Sequence, residues 1–136
     1  AFFMPLIVGM GGNVGIQSSA LIVQGLANNT LSKDGMVKRI LKELTLGLLN
    51  GIVCAALLIL YSFVSDYPIK LSLTIGISLL TVILFAAAFG TFMPLTLHRM
   101  KIDPALATGP FITTTNDIIG LFFYFMIGRL IYGLVL

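Results

Sequence analysis

Asp117 is a carboxylate in the middle of oil. It sits inside the apolar stretch 106–128, in the run Pro110-Phe111-Ile112-Thr113-Thr114-Thr115-Asn116-Asp117-Ile118-Ile119-Gly120. If a helix opens at Pro104, Asp117 lies roughly 20 Å further along its axis, at about 1.5 Å per residue. That is deep in a hydrocarbon core about 30 Å thick. An ionised group at that depth costs at least about 2.5–3.5 kcal/mol, so it requires water, a cation or a partner group. Pro110, Thr113, Thr114, Asp117, Gly120 and Tyr124 share one face of such a helix, and Asn116 adjoins it. Pro110 has no amide hydrogen, which frees a carbonyl one turn earlier. Carboxylate, hydroxyl, amide and carbonyl are hard oxygen ligands; they suit Mg²⁺ or another hard cation rather than zinc or copper. Mg²⁺ sheds water reluctantly and is held by one or two carboxylates through its hydration shell. One carboxylate is sparse for a divalent ion. A two-fold homodimer would bring a second Asp117 to the axis, and two such charges need a cation or a shared proton between them.

A second polar face lies at the start of the chain. The first apolar stretch carries no charge, but Pro5, Gly9, Gly12, Asn13, Gln17 and Gln24 fall near one side at helical spacing. In a membrane such a side must meet protein or water. Gly11 and Gly15, four apart, read as a packing pair. Gly9-Met10-Gly11-Gly12-Asn13 is not a phosphate loop, since no Lys-Ser/Thr follows and no βαβ unit frames it. Glu43 stands at the mouth of the second stretch, where it either pairs with Lys42 or Arg39 or lines a cytoplasmic vestibule. His98, beside Arg99, reads as a headgroup residue, and Cys54 as membrane filling. No Ser/His/Asp set, Cys/His set or paired carboxylates points to an enzyme.

The elements that must hold these residues are membrane helices. Of 136 residues, 58% are hydrophobic and 10% charged, against about 25% charged in a soluble domain. The reading is an all-α integral membrane protein, a polytopic helical bundle forming a single transmembrane domain over 1–136, with four spans at about 2–27, 44–63, 71–97 and 104–132. Asn28-Asn29 and Lys33-Asp34-Gly35 are turn signals, and Ser32 could cap a short interfacial helix. Thr74, Ser78 and Thr81 form a weak polar stripe on the third span, and Pro94 stands near its end. Loops 28–43 and 98–103 hold Lys33, Lys38, Arg39, Lys42, Arg99 and Lys101; the other side holds Lys70 and Arg129. This excess places the first side in the cytoplasm and both chain ends outside it, in a multi-pass protein of the cell's inner (plasma) membrane. The net charge of +3 reflects that orientation, not nucleic-acid binding, because no basic patch is interleaved with aromatics.

Taken together, these residues resemble the MgtE magnesium channels and transporters. Pro5, Gly9, Gly12, Asn13, Gly15 and Gln17 resemble that family's glycine-rich signature. Lys42-Glu43-Leu44 is similar to its basic-Glu-Leu step. Asp103-Pro104-Ala105, Gly109-Pro110, Thr113-Thr114, Asp117 and Gly120 resemble its last helix. Ile16 departs from it, since many relatives carry a polar residue there. The resemblance implies a homodimeric Mg²⁺ channel with its pore on the dimer axis, lined by the first and last spans of this chain. It implies that Asp117 of both chains holds the hydrated ion, with Thr113, Asn13 and Gly12 beside it and Gly9, Gln17, Thr114, Asn116 and Gly120 along the path. It also implies five membrane helices behind cytoplasmic gating domains, so that one upstream helix and those domains are absent from this sequence. Two other readings stay open from the residues: a proton- or cation-coupled exchanger that titrates Asp117, and a non-transporting assembly module in which Asp117 joins helices.

Overall fold

The computed structural model describes residues 2–30 and 33–133, the side chains of 33–36 excepted. Four long helices take up the four apolar stretches: α1 (Met4–Ala27), α2 (Lys33–Val64), α3 (Ile69–Arg99) and α4 (Pro110–Tyr132), with a 3-10 turn over Pro104–Ala107 before the last. Each stretch is long and apolar enough to cross a bilayer. They are helical because in hydrocarbon every backbone N–H and C=O must be bonded within its own segment. Side-chain hydroxyls obey the same constraint. Thr45, Thr74, Thr81, Thr91 and Thr96 each donate to the carbonyl four residues back, at 2.7–2.9 Å. The polar stripe on the third span is therefore satisfied by its own backbone at Thr74 and Thr81.

The bundle is built around α3. It packs against α1, α2, α4 and the 3-10 turn, and it buries Ile75, Leu79, Val82, Ile83, Ala86 and Ala87. α2 lies on the far side of α3 and turns Leu49, Ile52, Val53, Leu57 and Leu60 outward, as suits a lipid-facing surface. The Ser62 and Ser72 hydroxyls bond to each other at 2.7 Å, buried where α2 meets α3; such an interhelical bond contributes about 0.6–2 kcal/mol in a membrane. α1 runs parallel to α3 and antiparallel to α4. At the α1–α3 crossing Gly90 lies on the Gly15 backbone, with no room for a Cβ. Small residues permit this approach, and packing of this kind replaces the hydrophobic drive that lipid removes.

Two elements differ from the sequence reading. α2 begins at Lys33 and runs unbroken, so Lys38, Arg39 and Lys42 ride on the first turns of the spanning helix, not on a separate interfacial one. Ser32 lies outside the described residues. The last span is not one helix from Pro104. After Ala107 the chain is extended at Thr108 and turns at Gly109, with φ 56° and ψ −129°. The physical reason is the Gly109-Pro110 pair. A residue before proline is pushed away from helical geometry, and glycine can take a conformation closed to other residues. α4 then restarts with Pro110 in its first turn, where a missing N–H costs nothing. Asp117 is thus seven residues into its helix, about 10 Å by helical rise. Gly109→Ala is expected to lower stability by about 1–3 kcal/mol through backbone strain alone, because a Cβ there meets nothing within 4 Å. A thermal melt in detergent checks this.

Candidate cation site at the α1–α4 seam

The antiparallel contact of α1 and α4 brings the two polar faces together. A Cβ placed on Gly12 would lie 3.6 Å from Asp117 Oδ1 and 3.6 Å from Thr113 Cγ2. Gly12, Thr113 and Asp117 are therefore neighbours, although about a hundred residues separate the two helices in sequence. The Thr113 hydroxyl donates to the carbonyls of Pro110 and Gly109, at 3.1 and 3.3 Å, and so closes the first turn after the break. The Asp117 carboxylate is half-buried. Among the described residues it has no hydrogen-bond or ion-pair partner. It is neither locked to its own threonines nor bonded to Asn13.

The exposed side of α1 is its polar side. Gly9, Asn13, Gln17 and Gln24 are all exposed, and the buried side holds Ile7, Gly11, Val14, Gly15, Ser18 and Ile22. Amides turned outward at membrane depth cannot face lipid without a large cost, so this surface must meet water or another protein surface. The glycines divide accordingly. Gly15 faces Asn116 and Ile112 with no space for a side chain. Gly9 has nothing within 4 Å of an added Cβ, and Gly12 only ordinary contacts. Packing within the chain explains Gly15; it does not explain glycine at 9 or 12.

The remaining expected site residues are placed as follows. Thr114 is exposed, on a row shared with Phe111, Ile118 and Phe122. Gly120 is buried against Val82 and Val8. Asn116, expected along the path, is fully buried at the seam against Gly15, because it lies about 100° around the helix from Asp117. Its amide has no partner among the described residues. Glu43 lies apart from Asp117, in a cavity of about 310 Å³ between α1 and α2 that Gln17, Ser18, Gly47 and Asn50 also line. It is 4% exposed, and Arg39 Nε stands 3.6 Å from its Oε1. Glu43 thus pairs with Arg39, one of the two partners expected for it, and itself lines the cavity. Ser19 escaped the sequence reading. It is fully buried and donates to the carbonyl of Ala107, and its position in the small-residue row Gly12, Gly15, Ser19 was the available signal.

Four long apolar helices, each able to cross a bilayer, define a polytopic α-helical membrane protein. Residues 4–127 match the family model MgtE, described as a divalent cation transporter. The chain is 39% identical over 125 residues to the magnesium transporter MgtE of Bacillus subtilis, covering 92% of this chain and 28% of that protein. It is 36% identical over 131 residues to the magnesium transporter MgtE of Thermus thermophilus, covering 96% and 29%. This chain therefore belongs to the MgtE family, and it spans less than a third of the length of these relatives.

Proposed function

We propose that this chain is the membrane conduit of a Mg²⁺ transporter and that Asp117 holds the hydrated ion. The observation that carries the reading is the Asp117 carboxylate beside Gly12, within an apolar span and, among the described residues, without a hydrogen-bond or ion-pair partner. A cation on that carboxylate offsets the cost of its charge. Mg²⁺ is the cargo suggested by the names of the relatives and by the hard oxygen character of the donors. Thr113, Gly12 and Asn13 surround the ion's water shell, where a glycine leaves space for water and an amide can bond to it. Gly9 and Gln17 continue the path along α1 and Thr114 flanks it on α4, whereas Gly120 packs against Val82 and Val8 behind it. Asn116 supports the seam from behind.

The open face of α1 finds its partner in a second copy. A two-fold homodimer covers Gly9, Asn13 and Gln17, and sets two Asp117 carboxylates across the axis. The charge bias of the loops orients the Lys33–Lys42 end and the 98–103 turn toward the cytoplasm in the cell membrane. Glu43, neutralised by Arg39, then stands at the inner vestibule. A structure of the full protein in Mg²⁺, or in Mn²⁺ as an anomalous scatterer, is expected to show cation density on a two-fold axis next to Asp117. Density there without contact to Asp117, or a carboxylate bonded only to its own backbone, overturns the reading. The coupled-exchanger reading requires flux to depend on a counter-gradient.

A further inference from the structure

The break in the last span leaves one carbonyl in need of a donor. The 3-10 turn caps itself on both sides: Asp103 Oδ1 accepts from the Ala105 amide at 2.9 Å, and the Thr108 hydroxyl donates to the Ala105 carbonyl at 2.6 Å. Ala107 is fully buried. Because Thr108 is extended, no regular helix runs on to supply the amide that would bond the Ala107 carbonyl four residues later. A buried, unbonded carbonyl is costly in a membrane. Ser19 of α1, itself 0% exposed, supplies the donor across 88 residues of sequence.

The bond lies in register with the cation site. Ser19 is seven residues beyond Gly12 on α1; Ala107 lies three residues before Pro110, where α4 begins, and Asp117 seven residues after it. Each seven-residue helical segment spans two turns, about 10 Å. Between them Gly15 faces Asn116 and Ile112. That middle contact is steric: the Asn116 amide has no partner among the described residues, and a van der Waals contact resists sliding less than a directional bond. Ser19 to Ala107 is a side-chain hydrogen bond that ties α1 to the turn leading into the last helix.

We propose that Ser19 is a positioning residue, whose bond to Ala107 sets the axial height of α4 against α1 and thereby the place of Asp117 beside Gly12. The inference rests on the reading of Asp117 as the ion-holding group. A slip of one residue moves Asp117 by about 1.5 Å, enough to spoil a site whose groups must be held to about half an ångström. Ser19 touches neither the ion nor its water; it acts through α4.

The test uses the full chain in liposomes. Ser19→Ala is expected to raise the half-saturating Mg²⁺ concentration about fivefold, in line with loss of one buried hydrogen bond. It should also narrow the preference for Mg²⁺ over Ca²⁺ and leave maximal flux within about twofold. Ser19→Cys has nearly the same shape and a weaker donor, so its half-saturation should fall between the two; it also reads the effect if the alanine variant does not fold. Unchanged half-saturation and selectivity in the variant that folds, whatever its melting temperature, overturn the proposal and reduce Ser19 to packing. Asp117→Ala run alongside separates the two readings. If it is inactive while Ser19→Ala behaves as wild type, only the positioning role fails. If it conducts normally, the ion-holding reading fails and this inference with it.

Discussion

Asp117→Ala is expected to reduce Mg²⁺ flux into liposomes by at least about a hundredfold, with the protein still folded and its assembly state in detergent unchanged. A unit-charge pair about 4 Å apart at an effective dielectric of 20 interacts by about 4 kcal/mol, and about 1.4 kcal/mol is a factor of ten. Loss of one carboxylate per chain beside a divalent ion therefore exceeds two decades, even with water between them. Folding should be spared because the carboxylate has no hydrogen-bond or ion-pair partner among the described residues. Removing it strands no other group and spares the membrane an ionised side chain. Flux assays and size-exclusion chromatography on the same preparation give the result. Undiminished flux ends the ion-holding reading. Undiminished flux with a loosened assembly for Asp117→Asn would favour the assembly-module reading. Asp117→Asn arrested in one state, with wild-type flux that needs a counter-gradient, would favour the exchanger.

The second large effect separates two glycines one turn apart. Gly12→Leu is expected to cut flux by about tenfold or more while the protein still folds. A Cβ fits there at ordinary distance, and the longer side chain projects toward Asp117 and Thr113. Gly15→Leu is expected to lose the fold, because the first added carbon already collides with Asn116 and Ile112. Overpacking of a tight contact costs typically about 1–3 kcal/mol, occasionally more. Here the Gly15 backbone is also pressed by Gly90 on its other side, so α1 has no direction in which to yield. Folded protein with blocked flux for the first and aggregated protein for the second is the expected pair. The reverse pattern would place the ion path on the Gly15 side of α1.

Much of the architecture was legible because a bilayer leaves so few choices. Apolar runs of this length must be helices, and the loops between them are marked by charges and turn residues. That Asp117 lies within an apolar stretch and that α1 carries amides on one side could be read from residue types and spacing, and the motifs resemble those of MgtE. What spacing could not supply was which turns of α1 and α4 meet. Periodicity assigns residues to a face but says nothing of the height at which two helices dock. The contact of Gly12 with Asp117, and not of Gly9 or Gly15, is decided by α3 wedging Gly90 onto Gly15 and by Ser19 holding Ala107. The break at Thr108-Gly109 was likewise hidden. Pro104 and Pro110 are each acceptable first residues of a helix; Gly109 before Pro110 permits the break, and packing of the 3-10 turn against α1 and α3 accompanies the second start. The same limit explains Asn116: its type suggested a wet surface, yet one step around the helix from Asp117 placed it in the dry seam. Residue chemistry thus determined that a carboxylate would stand within an apolar span, and tertiary packing decided where along the bundle it stands.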